Sequence, residues 1–199
     1  MIETIKNYFN RKNLKDENYS HLFDKYDGDE YVCFDCETTG LDPKIDDIIS
    51  IGAVVIKNNK ILTSQRFERF VKPKTSLEAE SIKIHQIRKC DLEDAKNIDD
   101  VIDEFIEFIG NRPLVGYYLE FDTAMINKYL KPKLGINLPN EKIEVSALYY
   151  DKVIGVIPQG NIDLRFDVIM KKLDLPILSK HDAINDAIMT SMIFLKLNK

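Results

Sequence analysis

Apolar positions in this chain follow two rhythms. Tyr31-Val32-Cys33-Phe34 is an unbroken apolar run of β character, and Ile48 to Ile56 is a β-branched run that Asn58-Asn59 separates from another, Ile61 to Val71. Unbroken runs of this length suit strands buried on both faces, and a short Asn-rich break between two of them suits a hairpin. Pro73 to Thr75 interrupts this pattern, and Ser76 to Ile84 reads as a short helical piece. The rhythm then changes. Val101, Ile102, Phe105, Phe108 and Ile109 recur at helical spacing within Ile98 to Ile109, and Gly110 closes the segment. Leu114 to Tyr117 predicts a fourth strand, and Asp122 to Leu130 a helix ending before Pro132. Ile143 to Leu148 predicts a fifth strand, and Leu164 to Leu173 and Asp182 to Leu197 predict helices. Strands first, then strand–helix alternation, imply an α/β fold with a mixed five-stranded sheet flanked by helices on both sides.

Ahead of the Asp27-Gly28-Asp29 turn, Ile2, Ile5, Tyr8 and Phe9 lie at roughly helical spacing, followed by a polar stretch and a Tyr19-to-Phe23 patch. Residues 1–28 are therefore expected to form a helical extension and residues 29–199 the main domain. A length of 199 residues with 44% hydrophobic content is enough for one well-buried core and short for two domains. No run approaches the roughly 18 apolar residues of a membrane span, so the expectation is a soluble, cytoplasmic protein with no membrane contact.

The net charge of −5 excludes a protein that holds nucleic acid mainly through a broad basic surface. It does not exclude nucleic acid, because clustered carboxylates that bind divalent ions present a positive field to phosphate once loaded. Cys33-Phe34-Asp35-Cys36 has the spacing of a zinc or redox motif, but the pair sits in a predicted strand, where positions three apart face opposite sides. With Cys90 as the one remaining cysteine, buried reduced thiols are the expectation.

Asp35 and Glu37 interrupt the end of the first strand two positions apart, so both carboxylates project from one face. Such a pair repels itself unless a cation lies between its members or one holds a proton. An isolated Asp-x-Glu is more often a solvated strand end. The turn that follows, Thr38-Thr39-Gly40-Leu41, changes that balance, because its free backbone donors suit a phosphate or sugar beside bound metal.

Phe34-Asp35-Cys36-Glu37-Thr38-Thr39-Gly40-Leu41 resembles the first motif of the DEDD exonucleases, the group that includes the proofreading subunit of bacterial DNA polymerase III. Two further motifs follow in order. Phe121-Asp122, after Val115-Gly116, is similar to the second, although Tyr117-Tyr118 stands where many relatives have His-Asn. His181-Asp182-Ala183-Ile184-Asn185-Asp186-Ala187 is similar to the third motif of the histidine subtype. A five-residue offset does not align two side chains on one helix, so His181 is expected to precede the helix that carries Asp186. Glu80-Ser81-Ile82-Lys83-Ile84-His85 resembles, less closely, a segment whose Glu and His touch the terminal nucleotide, with Gln86 in place of a glycine.

The resemblance, which spans about Tyr31 to Leu197, implies a ribonuclease-H-like fold and a 3′→5′ exonuclease. It implies two divalent ions, Mg²⁺ or Mn²⁺, roughly 4 Å apart and held by oxygen ligands only. Asp35 would bridge both, Glu37 and Asp186 would complete the nucleophile side, and Asp122 would support the other ion through water. His181 would take a proton from the attacking water, so activity should fall on acidification. Thr38, Thr39, Gly40, Leu41, Glu80, His85 and Phe121 are the implied substrate contacts, with Leu41 and Phe121 packing on terminal bases. The implied partner is the 3′ end of single-stranded nucleic acid, with DNA favoured. An RNA or short-oligonucleotide exonuclease is the first alternative, and a non-catalytic nucleic-acid-binding module on the same fold the second. Because the chain stops at Lys199, just past its last helix, a stand-alone enzyme or one tethered through residues 1–28 is expected ahead of the polymerase subunit's arrangement.

Overall fold

The computed structural model describes residues 2–77, 79–155 and 162–198, with the side chains of residues 2–6, 79 and 80 left aside. Its central strand is β1 (Glu30–Thr38), which pairs antiparallel with β2 (Ile48–Lys57). β2 in turn pairs antiparallel with β3 (Lys60–Lys72). Asn58 and Asn59 make the two-residue turn with φ of 49° and 60°, the left-handed pair that twists with its strands and that Asn tolerates.

On the other side of β1, β5 (Leu114–Gly116) and β6 (Lys142–Glu144) add in parallel. A two-residue strand, β4 (Lys96–Asn97), lies parallel to the end of β3, so the sheet has six strands in the order β4-β3-β2-β1-β5-β6 rather than five. Two residues are too short to leave a periodic signature, which is why this edge is invisible in the sequence.

Helices cover both faces. α3 (Ile98–Ile109) and α4 (Leu119–Leu134) pack on the face formed by Val32, Phe34 and Cys36, and the fully buried Phe105 meets Phe34 at 5.2 Å between ring centroids. α5 (Val145–Val153), α6 (Phe166–Lys172) and α7 (Ala183–Leu197) pack on the Cys33 face. Cys33 and Cys36 thus lie in opposite cores as free thiols, whereas Cys90 is exposed. A further short helix, α2 (Ala79–His85), follows β3.

Two expected boundaries move. α4 runs through Pro132 to Leu134 instead of ending at Leu130, because Leu134 is buried and Gly135 (φ 78°) caps the end by donating to the Lys131 carbonyl. The fifth expected strand stops at Glu144, whose side chain accepts from the backbone N–H of Ser146 (3.0 Å) and starts α5 in place of a longer strand.

In the N-terminal segment, α1 (Ile2–Lys12) and a 3-10 turn (Glu17–Phe23) precede β1. Leu22 is 2% exposed within the α3/α4 core, and the backbone N–H of Lys15 donates to the Leu134 carbonyl at 3.0 Å. Tyr8 and Phe9 stay exposed. Among the described residues no helix is long and apolar enough to cross a membrane.

Candidate active site

β1 carries Asp35 and Glu37 on the face opposite Phe34 and Cys36, as alternation along a strand requires. The register with β2 shifts between Glu37 and Thr38, a bulge that ends regular pairing beside the acids. Asp35 stands opposite Gly52 on β2. A Cβ on Gly52 would collide with the backbone of Ala183 and Ile184, so only glycine lets the N-terminus of α7 settle onto the sheet. That contact delivers Asp186. Carboxylate oxygens of Asp35, Glu37 and Asp186 all lie within 4.8 Å of one another.

Asp122 reaches the same strand differently. From the first turn of α4 its Oδ1 accepts the Cys36 backbone N–H at 3.0 Å, so it is hooked to the residue between the two β1 acids but lies outside their close trio. His181 precedes α7, whose N-cap is Asp182, and has φ 57°. Its own N–H donates to Asp186 Oδ2 at 3.0 Å, and its exposed imidazole lines a cleft of about 320 Å³ together with Asp35, Tyr117, Phe166 and Asp186.

The electrostatics of this group are unfavourable by themselves. Burial, reinforced by Asp122, Asp186 and Glu37, pushes the Asp35 carboxyl well above its usual range. Burial and then Asp186 and Asp182 raise Glu37 to about 7, and burial raises Asp186 to about 6 against the pull of the His181 N–H. Asp122 is also pushed up by burial, against the Cys36 N–H bond. The two cations at the cleft are committed elsewhere, Arg165 to Asp163 at 2.6 Å and Lys180 to Asp167. Clustered, poorly solvated carboxylates with no side-chain salt bridge among the described residues fit a divalent cation, and an oxygen-only donor set fits Mg²⁺ or Mn²⁺ better than zinc.

The turn after the acids is held from below. Thr38 Oγ1 donates to the Gly40 carbonyl at 2.7 Å, Thr39 N–H donates to the Asp47 carbonyl at 2.9 Å, and Asp47 N–H donates back to Thr39 Oγ1 at 2.9 Å. Leu41 is 85% exposed at the tip. Buried Asp47 accepts from Tyr129 (2.7 Å), Lys128 (3.0 Å) and the N–H groups of Lys74 and Thr75 (2.8 Å each), tying this turn to α4 and to the segment leading into α2. Burial pushes the Asp47 carboxyl up, but the bonds from Tyr129, Lys128 and Thr75 outweigh it and bring it down to about 2.

A lowered carboxyl contributes stability that is present above its unfolded pKa and lost as pH falls through the folded one. Asp47→Asn should therefore cost about 2–4 kcal/mol in urea unfolding at neutral pH. The gap between variant and wild type should close between about pH 4 and pH 2. A gap that is constant down to pH 2 would remove the charge from the explanation.

His85 lies buried, its Nδ1 accepting the Ile87 N–H at 3.0 Å while its Nε2 has no hydrogen-bond partner among the described residues. Burial, then the charge of His181, holds its imidazole below the usual value, and with Nδ1 accepting, the ring's proton is on Nε2. Phe121 is half-buried against the α3/α4 core. The Glu80 side chain lies outside the described residues. Gly52, Asp47 and Phe166 are the site features that reading the sequence does not find, and Tyr117 shows in it only as a departure from the second motif. A glycine inside the β-branched run Ile48 to Ile56 is a signal that can mark such a close approach.

Comparison with known proteins identifies the family and the fold. The RNase_T exonuclease family model matches residues 32–194. A DNA polymerase III PolC-type protein of Caldanaerobacter subterraneus subsp. tengcongensis is 34% identical over 171 residues, covering 84% of this chain, which spans only 11% of that relative. Among solved structures, cell-death related nuclease 4 superposes with a TM-score of 0.75 at 18% identity, covering 85% of this chain and 64% of that one. Exonuclease X in complex with 5′ overhanging duplex DNA superposes with a TM-score of 0.67 at 21% identity, covering 84% and 90%. At these identities the structural likenesses speak for the fold.

Proposed function

Since the chain belongs to the RNase_T exonuclease family, within the DEDD group, we propose that it hydrolyses single-stranded DNA from the 3′ end with His181 as general base. The observation that carries this reading is the convergence of Asp35, Glu37 and Asp186 within 4.8 Å, beside His181 in one cleft. DNA is favoured because the curated relatives are DNA polymerase III PolC-type proteins. The same acids serve either sugar, so RNA is the competing substrate. Residues 29–199 are assigned as the catalytic unit and residues 1–28 as an extension packed on it, in a cytoplasmic protein.

Asp35, Glu37, Asp186 and Asp122 would hold two divalent ions. When bound, these ions supply Lewis acidity that favours ionisation of a water and neutralises charge on the phosphoryl oxygens. The protein's own groups do the rest. A ring nitrogen of His181 accepts the proton of the attacking water as its oxygen bonds to phosphorus. The bond from phosphorus to the 3′ oxygen of the upstream nucleotide breaks, and that oxygen takes a proton from solvent. The products are a nucleoside 5′-monophosphate and a strand one nucleotide shorter.

Thr38, Thr39, Gly40 and Leu41 would seat the terminal nucleotide. The Nε2 of His85, unpartnered among the described residues, would donate to one of its oxygens, Phe121 would back its base, and Glu80 is retained as a contact on the family motif alone. The test is degradation of matched 5′-labelled single-stranded DNA and RNA with Mg²⁺, Mn²⁺ or EDTA. A cation-dependent ladder shortening from the 3′ end, faster on DNA, is expected. A faster RNA ladder would reverse the substrate, and intact strands under every condition would overturn the enzyme reading.

A further inference from the structure

Tyr118 has no packing role that explains its conformation. It is 71% exposed, yet it takes φ 54° and ψ 35°, left-handed backbone that costs a bulky residue more than it costs Gly or Asn. It caps α4, the helix whose first turn carries Asp122, so its placement is fixed by a buried element of the site. Its ring meets that of Tyr117 at 4.8 Å and 84°, and Tyr117 meets Phe166 at 5.0 Å and 63°. The Tyr117 hydroxyl donates to the Leu164 carbonyl at 3.0 Å, which locks the middle ring. The result is an aromatic step. Its inner members, Tyr117 and Phe166, line the cleft with Asp35, His181 and Asp186, and its outer member shows its ring to solvent.

We propose that Tyr118 is a stacking platform for the base on the 5′ side of the scissile phosphate, and so a determinant of specificity for unpaired strands. This rests on the exonuclease reading, which places the terminal nucleotide on the Thr39, His85 and Phe121 contacts. Phe121 belongs to the α3/α4 core, whereas Tyr117 and Phe166 belong to the core on the other face of the sheet. On that reading, a strand that runs 5′ from the acids along the cleft meets a second group of rings, distinct from those backing its terminal base.

Every base has a π-face, so the platform is indifferent to sequence. The locked Tyr117 hydroxyl offers no competing hydrogen-bond readout. A base inside a duplex is already stacked on its neighbours and cannot cover the Tyr118 ring without leaving them, so paired ends gain nothing from it.

Two substrates separate this inference from the nuclease reading. The p-nitrophenyl ester of thymidine 5′-monophosphate has a terminal nucleotide and no upstream base, whereas an oligothymidylate has both. Tyr118→Ala should weaken binding of a fluorescein-labelled oligothymidylate in calcium by about tenfold to a hundredfold, read by anisotropy. In magnesium it should lower the preference for the oligonucleotide over the ester by a similar factor, through KM rather than kcat. Tyr118→Trp should restore both. Tyr118→Asn, which relieves the left-handed backbone, should keep the fold and still lose the preference.

Equal oligonucleotide binding by wild type and Tyr118→Ala overturns the platform whether or not the ester is cleaved. An equal loss on ester and oligonucleotide also overturns it, because Tyr118 would then act on the terminal nucleotide. A wild type that binds the oligonucleotide through Tyr118 but hydrolyses neither substrate supports the platform and overturns the nuclease reading alone.

Discussion

Asp35→Asn should abolish hydrolysis and at the same time raise the melting temperature of the cation-free protein. Both effects come from one position. Asp35 sits half-buried among Glu37, Asp122 and Asp186, and that crowding, after desolvation itself, is what pushes its carboxyl up. A neutral isostere removes a charge that the folded state does not solvate, so folding in EDTA becomes easier.

The same change deletes the acid in reach of both Glu37 and Asp186, and turnover on single-stranded DNA should fall on the order of a thousandfold or more. Thermal scans of wild type and variant, with EDTA and with Mn²⁺, read the two effects separately. Wild type should gain stability with the cation and Asp35→Asn should gain little. A variant that melts lower than wild type in EDTA would mean that the cluster is held together by something other than a bound cation.

The pH dependence of the cation-free wild type follows from the same groups. Glu37 at about 7 and Asp186 at about 6 lie above their usual range. A raised carboxyl contributes stability that is fully present below its unfolded pKa and lost as pH rises through the folded one. In EDTA the melting temperature should therefore decline between about pH 4.5 and pH 7, and a saturating divalent cation should remove that decline. Asp47 works in the opposite sense and only below about pH 4, so the two networks are read in different windows.

His181→Asn should lose activity on the order of a hundredfold to ten-thousandfold while keeping the stabilisation by Mn²⁺. The imidazole lies exposed on the cleft, and the contact to Asp186 is made by the His181 backbone N–H, which any residue supplies. Asn tolerates φ 57° better than Ala does, so this variant separates loss of the imidazole from loss of the left-handed turn. The wild-type rate should fall on acidification, and the residual rate of His181→Asn should not follow that fall. Equal loss of cation stabilisation in His181→Asn and Asp35→Asn would make His181 a part of the cation site rather than the base.

The acids, the histidine and most of the elements are legible in the chain because each depends on near neighbours. Alternation puts Asp35 and Glu37 on one face whatever the sheet later does, and the Asn58-Asn59 turn chooses its hairpin locally. The helical rhythm of Ile98 to Ile109 is likewise a property of its own residues, and the structure gives α3 those same bounds. The five-residue offset of His181 from Asp186 already required a break in the helix, which Asp182 makes as the cap.

Other features depend on partners far away in sequence. Pro132 looks like a stop, yet burial of Leu134 in a distant core carries α4 past it. The Ile143-to-Leu148 run looks like a strand, yet Glu144 turns it into a helix start. The role of Gly52 exists only because the start of α7 lands on it, and the network around Asp47 joins the turn between β1 and β2, α4 and the segment before α2.

The sequence by itself thus determined which chemistry this protein carries, because carboxylates two apart on a strand and a histidine ahead of a helix are set by local backbone periodicity. The tertiary structure alone decided how those groups meet: Asp186 within 4.8 Å of Asp35 and Glu37 over a glycine, Asp122 hooked to the Cys36 N–H, and Tyr117 packed on Phe166 beside them. Each of these is a contact between segments far apart in the chain, and packing, not propensity, selects it.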